Sequence, residues 1–158
     1  ITGYESPDEL NNNVALKAKL ESIRLQIGPK MNLGDVTKKV VPKMTMIAPA
    51  RDGGSIATRT FIPHVCHEAI GVLGAVSVAT ACVIPGAVGN DMAVVPPGDT
   101  KILPVEHPTG EFTVQLEMKN GEIVRASLLR TARRLFEGNM LVSRKVWAGA
   151  DAKLMAAQ

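Results

Sequence analysis

Residues 69–88 read AIGVLGAVSVATACVIPGAV, a stretch without a single charged side chain. Its length would just cross a bilayer. However, Pro85 and Gly86 break it and Gly71 and Gly74 interrupt its beginning, which leaves roughly 10–14 unbroken apolar residues, the length of a buried core helix. The reading is therefore a central helix over residues 69–84, with no membrane span. Gly71, Gly74, Ala75, Ser77, Ala79 and Ala81 are small enough for other backbone to approach from every side, so the helix is expected at the centre of its domain.

Working outward, the segment before it opens with a clear helix start. Ser6-Pro7-Asp8-Glu9 sets a hydroxyl at the N-cap, proline at the first helical position and glutamate at the third, a capping box. Within residues 1–30 this leading helix carries Leu16, Leu20, Ile23 and Ile27 as one apolar stripe, with Lys17, Lys19, Glu21 and Arg24 facing away, and Gly28-Pro29 ends it. Residues 43–48 and 55–61 read as short strands on either side of the turn at Asp52-Gly53-Gly54, after a loop over residues 30–41.

Beyond the central helix the pattern is β. Residues 101–105 form a strand, His107-Pro108-Thr109-Gly110 a turn, and Phe112, Val114, Leu116 and Met118 alternate as a half-buried strand does. Asn120-Gly121 then supplies the positive φ of a tight hairpin, with residues 123–129 as its return strand. Leu135-Phe136 and residues 140–142 suggest a further strand pair about a turn at residues 137–139, and the Ala-rich end from Ala148 reads as frayed helix. The class is α+β: a single domain over residues 1–158, a curled, mostly antiparallel sheet wrapped around one apolar helix.

Composition narrows the function. At 158 residues, 46% hydrophobic and 21% charged, the chain has the make-up of one globular domain, and disorder is excluded as its main state. A formal charge of +3 is too slight to identify a polyanionic partner, and with 3% aromatics there are few platforms for stacking bases. Nucleic-acid binding through Arg130, Arg133, Arg134, Arg144 and Lys145 accordingly ranks last. Two cysteines outside any CxxC pair fit a reducing, cytoplasmic setting. The chain begins at Ile1 with no signal-peptide pattern and reads as a piece of something longer.

The densest polar cluster is His64-Val65-Cys66-His67-Glu68, immediately before the central helix. Two readings stand side by side. The unpaired N–H groups of a helix start favour an anion, so Gly71 and Gly74 would admit a carboxylate or phosphate, with His64 or His67 as donor or proton carrier; alternatively, these polar residues only cap the helix. A metal site is disfavoured, because three candidate ligands within four residues cannot easily converge on one ion. Gly71-Val72-Leu73-Gly74 has neither of the glycine spacings used for nucleotide phosphates. Cys66, at a helix entrance, is the better candidate for a reactive thiol, and Cys82 for an inert core residue.

Longer motifs add a resemblance. Ile1-Thr2-Gly3-Tyr4-Glu5, Met31-Asn32-Leu33-Gly34-Asp35-Val36, Val41-Pro42-Lys43-Met44, Glu106-His107-Pro108-Thr109-Gly110 and Arg130-Thr131-Ala132-Arg133, with the apolar helix between them, resemble the PrpF-type isomerase family, in order and over nearly the whole chain. The resemblance implies a diaminopimelate-epimerase-like fold, of which this chain would be the C-terminal of two similar domains. It also implies cofactor-free and metal-free proton transfer in a small unsaturated polycarboxylate, family members differing in the carboxylate arm they accept. The lysine and cysteine that handle the proton would lie in the N-terminal domain, so no residue here inherits that role. What carries over is substrate binding, by Lys43, His64, His67, Gly71, Leu73 and Gly74. The implied partners are the polycarboxylate and the N-terminal domain; a homo-oligomer is compatible with it, and neither nucleic acid nor membrane is implied.

Overall fold

The computed structural model describes residues 1–143. The capping box forms: the Ser6 hydroxyl accepts from the Glu9 N–H while the Glu9 carboxylate accepts from the Ser6 N–H, starting helix α1 (Pro7–Asn12). The leading helix is, however, two. Asn13 leaves helical geometry at φ −84 and ψ 87, and its side chain accepts the Leu16 N–H at 2.9 Å to begin α2 (Val14–Lys30). A short polar side chain that bonds its own downstream backbone competes with helix propagation, and here it wins.

Two further features of α2 differ from the amphipathic pattern. Gly28-Pro29 does not end the helix, which runs on to Lys30. Gly28 instead admits the following loop, since a Cβ there would meet Val36 Cγ2 at 2.5 Å. The buried face also rotates. Ile23 and Ile27 are 42% and 36% exposed, whereas Arg24 is 0% exposed. Its Nη1 donates to the carbonyls of Val36 (3.0 Å), Lys39 (3.0 Å) and Val41 (2.7 Å), while Nε and Nη2 grip both oxygens of Glu21 at 2.7 and 2.9 Å. A guanidinium whose donors are matched in this way can be withdrawn from water, which a simple apolar stripe does not anticipate.

The strands β1 (Met44–Ala48) and β2 (Ile56–Phe61) pair antiparallel, Met44 opposite Phe61. The chain then crosses through α3 (Val72–Val83) and returns as β3 (Thr100–His107), parallel to β2 at Ile56–Val105 and Ala57–Glu106. A parallel pairing demands such a crossover. β3, β4 (Gly110–Lys119) and β5 (Glu122–Leu128) follow as an antiparallel meander, and the order across the sheet is β1-β2-β3-β4-β5. The β4–β5 turn is the expected one, with Asn120 at φ 54 and Gly121 at φ 83.

Side-chain alternation sorts the sheet into two faces. On one, Ile56, Leu103, Val105, Phe112, Val114 and Leu116 pack against Ala75, Ala79 and Cys82 of α3. On the other face of β1 and β2, Phe61, Met44 and Met46 meet Leu10, Leu16 and Leu20 of α1 and α2. The sheet is thus mixed and five-stranded, and it does not curl around α3. The helix lies along one face only: Leu73 is 79% exposed and Val72 44%. An all-apolar sequence reports what a helix tolerates, while its small residues mark the face that the sheet approaches. The strand pair expected near residues 135–142 is absent, residues 129–143 being neither helix nor strand. Arg144, Lys145 and the Ala-rich end lie outside the described residues.

One buried acid pins the β1–β2 turn. Glu106, on β3, is 5% exposed and accepts the backbone N–H groups of Arg51 (2.9 Å), Asp52 (2.8 Å) and Gly54 (2.8 Å). Gly54 has to be glycine there, because a Cβ would meet Glu106 Cγ at 2.6 Å and the Pro104 carbonyl at 2.9 Å. Burial alone would raise the carboxyl pKa, but the donors from Arg51, Gly54 and Asp52 outweigh it and hold the group below its ordinary value.

Two predictions follow from these anchors. Arg24→Met strands the three carbonyls of the 36–41 segment and should cost about 3–5 kcal/mol in chemical denaturation; Arg24→Lys should recover only part, since one ammonium cannot reproduce the fork. Glu106→Gln should destabilise by about 1–3 kcal/mol at neutral pH. Because the folded pKa of Glu106 is depressed, its contribution is complete above the unfolded value near ~4.3 and is lost as pH falls through the folded pKa. Denaturation midpoints of wild type and Glu106→Gln should therefore stay apart from pH 8 to about 5 and converge only in stronger acid.

Candidate functional site

Arg24, through the carbonyls it holds, fixes the 36–41 segment against α2, and the chain leaves that clamp at Pro42-Lys43 to enter β1. On the other side of β1, α3 begins at Gly71 with extended geometry (φ −75, ψ 158) and no side-chain cap. Its first internal bond is Ala75 N–H to the Gly71 carbonyl at 2.9 Å. The N–H groups of Val72, Leu73 and Gly74 thus have no acceptor among the described residues.

These two segments meet. The Lys43 Nζ lies 4.0 Å from the position a Cβ would take on Gly71. Between them opens a cavity of about 550 Å³, with Met31, Leu33 and Val41 on the loop side, Ile47 and Ile56 at its base, and Leu73, Gly74 and Val78 along α3. Among the described residues Lys43 is the one charged residue in its lining; Thr45 and Ser77 add hydroxyls. An ammonium and the positive end of a helix dipole at the edge of an apolar hollow favour an anion with a hydrocarbon body.

Of the six residues singled out from sequence, Lys43, Leu73 and Gly74 line this cavity and Gly71 adjoins Lys43. His64 and His67 sit elsewhere on the connector. The chain turns back there through Ile62 N–H to the Val65 carbonyl (3.0 Å) and His67 N–H to the Thr60 carbonyl (2.9 Å). That turn carries His64 toward α2, where its Nδ1 is 3.6 Å from Glu21 Oε2. The His67 side chain is exposed. The loop residues Met31, Leu33 and Val41 were not legible as cavity walls, for a turn-rich sequence says nothing of what it folds against.

The remaining candidates separate by surroundings. His107 belongs to the β3–β4 turn, its Nδ1 3.3 Å from the Thr109 N–H and hydroxyl, and burial holds its pKa below the usual value. The Thr109 hydroxyl donates to the Glu68 carbonyl at 2.7 Å and so ties that turn to the connector. Arg130 stacks over Phe112 at 5.0 Å. Cys66 is 3% exposed inside the α1–α2 core, and burial pushes its thiol pKa up; burial in α3 pushes that of Cys82 up to about 11. The expectation of a reactive Cys66 is thereby corrected: the short return of the chain at Phe61–Cys66 buries it. Among the described residues no cluster of three His, Cys, Asp or Glu side chains has the arrangement of a metal site.

The PrpF protein family profile matches residues 1–143. The chain belongs to the PrpF family. It is 59% identical over 143 residues to the (4E)-oxalomesaconate Delta-isomerase of a Novosphingobium species, covering 90% of this chain and 40% of that one. With the 4-oxalomesaconate tautomerase of Pseudomonas putida it shares 52% identity over 151 residues, covering 96% of this chain and 42% of the relative. The crystal structure of a methylitaconate-delta-isomerase superposes with a TM-score of 0.75 at 26% identity, over 87% of this chain and 40% of that one. The chain thus spans about 40% of the length of these relatives.

The burial of both thiols makes a direct prediction. In the native protein a thiol-disulfide reagent such as Ellman's should modify Cys66 and Cys82 roughly 100-fold more slowly than in urea-unfolded protein. Fast modification of Cys66 in the native protein would show that the connector opens in solution, and fast modification of Cys82 that α3 lifts from the sheet.

Proposed function

We propose that this chain is the C-terminal, substrate-binding lobe of a cofactor-independent isomerase that moves a proton within a small unsaturated tricarboxylate of the 4-oxalomesaconate type. The observation that carries the reading is the meeting of the Lys43 ammonium with the uncapped start of α3 at the edge of an apolar cavity. Removing a proton next to a carboxylate spreads negative charge into it, and cationic or N–H groups aimed at that charge lower the barrier. Lys43 and the amides following Gly71 are placed to hold one carboxylate arm, while Leu73 and Gly74 shape the wall against which the carbon skeleton lies. His64 and His67 act on the same site through the connector that positions Gly71.

The likeness to the methylitaconate isomerase supports a diaminopimelate-epimerase-like fold and raises a second reading, a methylitaconate or methylaconitate isomerase. Identities of 59% and 52% to the oxalomesaconate enzymes against 26% to that structure favour the first. On either reading the proton-handling lysine and cysteine belong to an N-terminal domain, so the chain alone binds without turning over.

Calorimetric titration of the chain with cis-aconitate, an unsaturated tricarboxylate, tests this. Lys43→Met should weaken binding about tenfold, the equivalent of one charge-assisted contact. His64→Ala with His67→Ala should weaken it by less, and unchanged affinity would remove the two histidines from the set. Lys43→Met binding as tightly as wild type would sink the proposal.

A further inference from the structure

Thr45 and Ser77 both bring a hydroxyl to the lining of the cavity, but their hydrogen-bond partners make the two unequal. Alternate residues at the start of the sheet, Lys43, Thr45 and Ile47, face the cavity, while Met44 and Met46 turn toward α1 and α2. Thr45 is the register partner of Thr60 on β2, and their Oγ1 atoms lie 3.1 Å apart. Thr60 is 3% exposed, and among the described residues this is the one hydrogen bond its hydroxyl makes. A buried hydroxyl proton without an acceptor is costly, whereas a half-buried one can turn to water or to a ligand. Thr60 therefore donates and Thr45 accepts, which leaves the Thr45 proton for a partner in the cavity. Ser77 differs. Its hydroxyl donates to the Leu73 carbonyl at 2.8 Å, the back-bond of a serine within a helix, so its single proton is taken.

We propose that Thr45 is a second donor to the bound anion, beside Lys43, and that Thr60 is the residue that positions its hydroxyl. The proposal rests on the reading of the cavity as an anion site and adds to it a binding residue and the cause of its direction. A carboxylate oxygen only accepts, so it selects a donor whose proton is free when the ligand arrives. Thr45 supplies one without breaking a bond. A hydroxyl that already accepts a hydrogen bond is also polarised by it and donates the more strongly. Ser77 would first have to give up the Leu73 carbonyl. Thr45 stands between the Lys43 ammonium at the edge and Ile47 at the base, so the oxygens of the ligand lie along β1 and its hydrocarbon against Leu73 and Val78 of α3.

Calorimetric titration with cis-aconitate tests this on the same chain. Thr45→Val keeps the shape and removes the donor, and should weaken binding about five- to tenfold, while Thr45→Ser should stay within about twofold of wild type. Thr60→Val should weaken binding about two- to threefold, with Thr60→Ser close to wild type, and should have no further effect once Thr45 is valine. A merely structural Thr60 would weaken binding in both backgrounds. Ser77→Ala should cost less than Thr45→Val. Thermal unfolding reads the direction of the Thr60–Thr45 bond without ligand: Thr45→Val strands the buried Thr60 proton, so its Tm should lie below that of Thr45→Val with Thr60→Val. Thr45→Val binding as tightly as wild type, or Ser77→Ala costing more than Thr45→Val, would overturn the proposal, and a double variant no more stable than Thr45→Val would overturn the role of Thr60. Tight binding by Lys43→Met with weakened binding by Thr45→Val counts against the Lys43 reading alone, and the reverse pattern against Thr45 alone. A wild-type chain that takes up no cis-aconitate would remove both.

Discussion

A single buried guanidinium organises the approach to the candidate site. Arg24 draws the carbonyls of Val36, Lys39 and Val41 onto α2 and is itself neutralised by Glu21. Without it the 31–43 segment would be a loop of turn residues with little apolar burial of its own. With it, that loop becomes one wall of the cavity and delivers Lys43 to the start of α3 at a defined place. Gly28 makes the arrangement sterically feasible by leaving room for Val36, which is 1% exposed. A structural arginine on the outer layer is therefore what gives Lys43 its position. Because hydrogen bonds to a charged donor are among the stronger ones, the clamp is stiff enough for that task.

Local chemistry explains which parts of this fold were legible. The capping box at Ser6, the Asn120-Gly121 turn and the alternation Phe112, Val114, Leu116 depend on neighbours within a few residues, and each appears where the pattern puts it. Features that depend on distant partners did not. Nothing near Arg24 in sequence reveals that acceptors 12–17 residues away will bury it. Similarly, the break at Asn13 pits one side-chain bond against helix propagation, a contest too close to settle from propensity. The strands expected beyond residue 129 failed for another reason: apolar residues can mark a strand but only pairing makes one, and this segment pairs with neither of the free edges at β1 and β5.

The site was legible in part for the same reason. Gly71 and Gly74 follow from recognising a helix start, whereas Leu73 and Lys43 come from the family resemblance; Lys43, Leu73 and Gly74 line one cavity. The histidines lie as close in sequence to the helix as the glycines do, yet the bonds at Ile62–Val65 and Thr60–His67 turn them toward α2. Sequence proximity to a helix start is thus a weaker guide than the path of the connector. The apolar character of α3 carried double information: its small residues face the sheet, while Leu73 and Val72 remain open on the side of the cavity.

Charge accounting indicates how much of a binding site this chain can be on the proposed reading. A tricarboxylate brings three negative charges, against which the cavity sets one ammonium and the partial positive charge of a helix start, roughly half an elementary charge. Apart from the Thr45 and Ser77 hydroxyls the remaining lining is apolar, and burying an uncompensated carboxylate against it costs several kcal/mol, of the order of a lost ion-pair partner. Lys43 and α3 can therefore stabilise one arm of such a ligand and leave the others facing water through the open side of the cavity. Closing that side without further cations would expel the ligand, whereas closing it with a surface that supplies them would hold the substrate and exclude solvent together. On that reading, the surface that closes the cavity has to be basic above it.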